Sequence, residues 1–314
     1  MNVTILGNSA GGPFHGRHYT AQLVQVENHY FLVDCGEGTQ MQIFKYRIKA
    51  DRCNQIFISH LHGDHVFGLI GLITNWCLKK RTEPLFIFSP PGLQELLETT
   101  IRVCGVRLTY PIEFQVVDAA VSEKIFENQH VEVWTVPLNH RSPTAGWLFR
   151  EKPKPRNIRP EILEEYGIAD DYAQIKAIKA GGDLHLPDGR TILNAALTLE
   201  PSPLRTYAFC SDTAPSEAVV TAVQGVDLLY HEATFTEENV EEALISYHST
   251  ARQAATIARQ ANVGQLIMGH FSGRYADAAQ HLVEARAVFE RTELADEGSC
   301  WEVVSTSHQD KSNG

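Results

Sequence analysis

No CxxC pair occurs in this chain, whose six cysteines (Cys35, Cys53, Cys77, Cys104, Cys210 and Cys300) are scattered over 314 residues. A disulfide-built domain would be shorter and denser in cysteine, so these thiols are expected to be reduced and mostly buried. Long uncharged apolar runs are also missing. The most apolar stretch, residues 67–78, holds two glycines and an asparagine, well short of the roughly 18 apolar residues needed to span a bilayer. The opening MNVTILGNSAGG has neither the basic segment nor the apolar core of a secretory leader, which predicts a cytoplasmic protein. Basic charge is the minority sign, 27 Lys and Arg against 38 Asp and Glu, for a net charge of −11. That balance argues against indiscriminate coating of nucleic acid, and against DNA as a partner, while leaving room for a local basic patch. Apolar residues make up 43%, with 22 Gly and 14 Pro, so whole-chain disorder is excluded and the length suits one large or two ordinary domains.

What is present alternates between strand and helix. VTILG reads as a strand, and QLVQVENHYFLVDCGEG as two more joined by a turn at Glu27-Asn28. NQIFISH, LFIFS, VEVWTVPL, RTYAFCSD, GVDLLYHEA and QLIMGH follow as strands, with helices over 68–78 and in SEAVVTAVQ, STARQAATIARQA and AAQHLVEARAVFE. The expected class is α/β, with sheets partly antiparallel. The rhythm breaks at REKPKPRNIRP, which carries five Lys or Arg against one Glu. Residues 150–195 are expected as an excursion from a main domain over 1–306, and residues 307–314 as a disordered tail.

The chemistry concentrates in ISHLHGDHVFG, where His60, His62, Asp64 and His65 share one loop leaving a strand. Neutral imidazoles and carboxylates suit zinc or manganese, and Gly63 permits a tight backbone there. A two-metal site needs more donors than one loop supplies. His140, Asp212 and His270 each follow an apolar strand. Taken singly each is equally a turn or capping residue, whereas together they read as ligands. NSAGG offers backbone N–H groups for a phosphate, and Asp34 a partner for a ligating histidine.

HxHxDH followed by a distant His, an Asp and a last His resembles the metallo-β-lactamase superfamily. FLVDCGEGTQMQ, FISHLHGDHVFGL, CSDT, HEATF, HSTARQAA and GHFSGRY, in that order, resemble the ribonuclease Z family over nearly the whole chain. The resemblance implies a four-layer αββα sandwich with an inserted tRNA-binding arm. It implies two Zn²⁺ per subunit, one on His60, His62 and His140, the other on Asp64, His65 and His270, with Asp212 bridging. Mn²⁺ or Fe²⁺ are possible substitutes on such donors. It also implies an endoribonuclease that removes 3′ trailers from precursor tRNA by a metal-bridging hydroxide, cutting after the discriminator base to leave a 3′-hydroxyl. Asp64 would orient the nucleophile, His248 would stabilise the transition state or protonate the leaving oxygen, and Glu232 would orient His248. His248 also neighbours Ser249-Thr250, either of which could cap the following helix.

The family's arm grips the tRNA elbow and its members are homodimers, which makes Lys152, Lys154, Arg156 and Arg159 the expected phosphate contacts. The chain departs from the family pattern at the arm, where GIADDYAQIKAIKAGGD replaces a Gly-Pro hand. It departs again at Gly273, and at Gly12 with Phe14-His15. The alternative reading is a small-molecule phosphodiesterase of the same superfamily, which would need the metals but no arm.

Overall fold

The structure is a computed structural model that describes residues 1–306, so the tail expected over 307–314 lies outside the described residues. Two compact units emerge. One comprises residues 1–151 and 205–306, the other Lys152–Leu204.

The larger unit is built on two seven-stranded sheets. The first has strands β1 (Asn2–Gly7), β2 (Ala21–Val26), β3 (His29–Val33), β4 (Cys53–Phe57), β5 (Leu85–Ser89), β6 (Ile112–Val116) and β14 (Cys300–Glu302), in the order β14-β1-β2-β3-β4-β5-β6. The second has β7 (Lys124–Glu127), β8 (Val131–Pro137), β9 (Ala145–Glu151), β10 (Thr206–Cys210), β11 (Leu228–Glu232), β12 (Gln265–Gly269) and β13 (Thr292–Leu294), in the order β13-β12-β11-β10-β9-β8-β7. Each sheet is antiparallel on one side and parallel on the other, with β3 to β6 and β10 to β13 running parallel. Parallel strands need crossovers and therefore helices on the outer face. The sequence alternates accordingly.

Three apolar cores make four layers. Between the sheets lie Phe31, Phe57, Phe88, Trp147, Phe149, Phe209 and Tyr230, all buried, with Phe57 stacked on Phe88 at 4.8 Å and edge-on to Phe149 at 5.6 Å. Outside the first sheet, α1 (Thr39–Lys45), α2 (Gly63–Val66), α3 (Leu69–Leu78) and α4 (Leu93–Val103) bury Ile43, Val66, Leu72, Ile73, Trp76, Leu93 and Leu97. Outside the second, α8 (Glu217–Ala222), α10 (Ala251–Gln260) and α11 (Ala279–Arg286) do the same, with α9 (Val240–Ser246) between α8 and α10 in the chain. Helix α10 turns Ala251, Ala254, Ala255 and Ala258 inward, and these small side chains let its backbone approach the sheet closely.

Arg150 and Glu151 belong to β9, paired with Thr206 on one side and with Glu132 and Val131 on the other. The excursion therefore runs from Lys152 to Leu204 rather than from 150 to 195, because ladder hydrogen bonds hold both residues in the sheet. Its two ends leave the larger unit side by side. The buried Glu151 carboxylate accepts from Arg205 Nε at 2.8 Å and Nη2 at 2.6 Å, a two-pronged pair that clamps exit to entry.

The inserted unit has a small core of its own, Ile162, Ile168, Ile178, Leu184 and Leu197. Around it lie α5 (Pro160–Glu165), α6 (Tyr172–Lys179), α7 (Asn194–Leu197) and two short antiparallel ladders, 157–158 with 198–199 and 184–185 with 191–192. Asp171 caps α6 by accepting from Gln174 N at 2.9 Å.

Candidate metal centre

The functional side chains sit where strands end. Ser59 and His60 follow β4, His140 follows β8, Asp212 follows β10, Glu232 closes β11 and His270 follows β12. Three of the residues at these turns hold left-handed backbones, Asp34 (φ 55), Asp212 (φ 41) and His270 (φ 59). Such conformations cost on the order of 1 kcal/mol each and persist only where the surroundings fix them. The Cys35-Gly36-Glu37-Gly38 turn supports the histidine loop from behind. Cys35 N donates to His65 O at 2.8 Å, and at Gly36 a Cβ would run into the Asp64 carbonyl, so only glycine allows the approach.

The residues expected as ligands come together from four separate stretches of chain. His60, His62, His140 and Asp212 offer donor atoms all within 4.8 Å of one another, and Asp64, His65 and His270 form a second such set. Asp212 reaches both. Its Oδ2 lies 3.4 Å from His60 Nε2, and its Oδ1 lies 3.2 Å from His65 Nε2 and 3.1 Å from His270 Nε2. His248 joins Asp212 and His270 in a third set, closer to the ligands than a purely remote acid would be.

Whether a cation fits is decided by the tautomers. His65 Nδ1 donates to Asp34 Oδ2 (2.7 Å), His270 Nδ1 to Thr234 Oγ1 (3.0 Å), His140 Nδ1 to the Tyr247 carbonyl (3.2 Å) and His60 Nδ1 to Ser59 Oγ (3.0 Å). In its neutral form each ring so held turns an Nε2 lone pair toward the cluster; with no cation there, burial opposes the charged form of His65, but Asp212, Asp34 and Asp64 outweigh it and raise that ring well above the usual imidazole range. The Nε2 atoms of His65, His140 and His270 are buried without any hydrogen bond, and a lone pair buried in that way is stable only against a donor or a metal. Burial pulls His140 down to about 4, and burial with neighbouring His65 lowers His60. Both stay neutral, as ligation requires. For Asp212 burial opposes ionisation, but His270, His65 and His60 outweigh it and hold the carboxyl well below its usual range. This donor set fits a metal ion.

Beside the ligands stands a second arrangement. Glu232 is buried and accepts from Thr213 N, Thr234 N, Thr234 Oγ1 and His248 Nδ1 at 2.9, 3.0, 2.6 and 2.7 Å. Burial alone would raise its carboxyl, yet His248 brings it down to about 2. In return, Glu232 overcomes the burial of His248 and lifts that imidazole to about 9. The HST segment divides its labour: His248 faces the site, Ser249 Oγ donates to Thr213 O (2.6 Å) and Thr250 caps α10 in a capping box with Gln253. Thr250, not Ser249, is the cap.

Thr234 escaped the sequence reading although it lies within HEATF. It bonds Glu232 and His270 at once, and a hydroxyl two residues after a buried acid was the available signal. A cavity of about 820 Å³ opens beside His140, lined by Val117, Leu138, Arg141 and Pro143 among others. The basic residues expected on the arm lie in the inserted unit. There Arg156 forms a two-pronged pair with Glu200 at 3.0 and 2.7 Å and also donates to Thr198 Oγ1. Arg159 Nε is buried without a hydrogen bond. Lys154 and Arg156 line a cavity of about 610 Å³ with Tyr172, Lys176 and Lys179.

The ribonuclease Z of Bacteroides fragilis is 44% identical over 300 residues, covering 96% of this chain and 98% of its own. That of Cytophaga hutchinsonii is 40% identical over 314 residues, 99% of each. The chain belongs to the ribonuclease Z family. The family model described as anti-Pycsar protein Apyc1 matches residues 1–145. Among solved structures, the short form of human tRNase Z superposes with a TM-score of 0.69 at 25% identity over 97% of this chain and all of its own. The metallo-β-lactamase fold protein YhfI of Bacillus subtilis superposes with a TM-score of 0.67 at 18% identity, over 96% and 99%. The fold expected from the sequence is the one found, and the enzyme class expected, a metal-dependent phosphodiester hydrolase of the ribonuclease Z family, is the one these relatives support. No helix among the described residues is long and apolar enough to cross a membrane.

Proposed function

We propose that this chain is a cytoplasmic, homodimeric, zinc-dependent endoribonuclease that removes 3′ trailers from precursor tRNA, cutting after the discriminator base. The observation that carries the reading is the gathering of imidazole nitrogens around Asp212, with the Glu232–His248 pair beside it. His60, His62 and His140 would hold one ion, Asp64, His65 and His270 the other, and Asp212 would touch both. Zn²⁺ there would supply Lewis acidity, bringing the pKa of water toward neutrality and offsetting phosphate charge; Mn²⁺ or Fe²⁺ suit the same donors.

The chain's own groups do the rest. Asp64, fixed by the Gly11 N–H at 2.9 Å, orients the attacking water. Asp34 and Thr234 hold the ligand rings in one tautomer. His248, kept protonated and aligned by Glu232, gives its Nε2 proton to the departing 3′-oxygen as the P–O3′ bond breaks. The products are a tRNA ending in a 3′-hydroxyl and a trailer with a 5′-phosphate. Lys152, Lys154, Arg156 and Arg159 in the inserted unit contact the tRNA backbone.

The test is cleavage of a 3′-extended precursor tRNA and of a nitrophenyl phosphodiester, with wild type and with a version in which a short linker replaces residues 152–204. Cleavage of both by the wild type, with tRNA cleavage alone abolished on deletion, supports the proposal. Diester hydrolysis with no tRNA cleavage by the wild type would replace it with the small-molecule phosphodiesterase.

A further inference from the structure

Two departures from the family pattern, Gly12 with Phe14-His15 and Gly273, meet in space. A Cβ on either glycine would collide with the Phe14 ring, so the two glycines form a slot for it. The ring is nevertheless 50% exposed. An exposed loop aromatic is ordinarily incidental, but this one is held from several sides. His15 sits in the left-handed region (φ 54) and its Nε2 bonds the Gly273 carbonyl at 2.9 Å. Arg17 donates to the Tyr275 carbonyl at 3.2 Å and lies over the Phe271 ring at 5.4 Å.

Both sides of the slot border the metal centre. Gly11, just before the slot, donates its N–H to Asp64 Oδ2, and Gly273 follows His270 by three residues. Arg17 and Arg274 are the arginines of these two segments; Asp277, Asp296 and Glu297 lie within electrostatic reach of Arg17, and Glu242 pairs with Arg274 at 3.4 Å. A half-exposed aromatic ring held in place beside the metal centre suits stacking of a planar base.

We infer that Phe14 is a stacking platform for a nucleobase flanking the scissile phosphate, an inference that rests on the ribonuclease reading. The test uses a 3′-extended RNA hairpin with 2-aminopurine on either side of the cut. Quenching on binding is read in a His248→Ala background, and KM and kcat are read in the otherwise unaltered enzyme. Phe14→Trp is expected to keep the quench. Phe14→Leu fills the slot without a π-face, and is expected to lose the quench and raise KM for RNA roughly tenfold, with kcat little changed. Gly273→Ser, which drives the ring out of the slot, is expected to behave like Phe14→Leu. An unaltered quench or KM in Phe14→Leu overturns the inference even if its melting temperature falls, because Phe14 would then only plug the loop. RNA cleavage by the wild type with no quench at either position also overturns it while leaving the ribonuclease reading intact; no RNA binding by the wild type removes both.

Discussion

The metal centre and the inserted unit use charge in opposite ways. At the centre, ionisable groups are buried and each is fixed by others: Asp34 holds Ser59 and His65, Glu232 holds Thr213, Thr234 and His248, and Asp212 faces three imidazoles. In the inserted unit the charged side chains are partly or fully solvated, and pairs such as Arg156–Glu200 or Arg190–Asp188 are local. Water screens the second kind almost completely, whereas removing one member of the first strands the others without water. Chemistry that depends on tenths of an ångström is housed in the first environment, and grip on a long polyanion in the second.

The sharpest way to break this contrast is Asp212→Ala, which removes the one carboxylate close to three imidazoles. Metal content measured by mass spectrometry should fall, and precursor cleavage should drop by at least about a thousandfold. His248→Ala should retain its metal while kcat falls about a hundredfold or more; zinc depletion in that variant would mean that His248 is a ligand and that the separation of binding from proton transfer is wrong. Replacing Lys152, Lys154, Arg156 and Arg159 together by Ala should raise KM for precursor tRNA. It should also flatten the plot of log KM against log salt by about 0.9 for each phosphate that is no longer neutralised. An unchanged slope would place the grip elsewhere. The smallest effect belongs to Thr250→Ala, which removes a helix cap and not a reacting group. Chemical denaturation should register about 1 kcal/mol, with kcat preserved.

The strands that carry the site were legible because each is a short β-branched or aromatic run ending in a polar residue. HLHGDH was legible because its donors share one loop. Helix α4 and the edge strand β6 were not legible. LQELLETTIRV has a clear helical period but little apolar content, being rich in Glu and Thr, whereas β6 buries little on either face and leaves no strong alternation. The end of β9 was misassigned to the insertion because Arg150 and Glu151 begin a charged run, and only the ladder partners on both sides reveal them as sheet. The left-handed backbones at Asp212 and His270, and the link from Thr234 to two functional residues, depend on contacts between segments far apart in sequence. No local pattern encodes them. The two glycines around Phe14 were visible as oddities, but their common cause was not.

The Glu151–Arg205 clamp sets the chain's exit and re-entry side by side, and that has a consequence for how such a protein can change. Because the catalytic unit already holds those two points together, it bears almost no penalty for the length of what is looped out between them, a penalty that grows only with the logarithm of length in any case. Insertions there can be lengthened, shortened or exchanged without re-solving the packing beneath the metal site. Substrate choice can thus drift while the chemistry stays fixed.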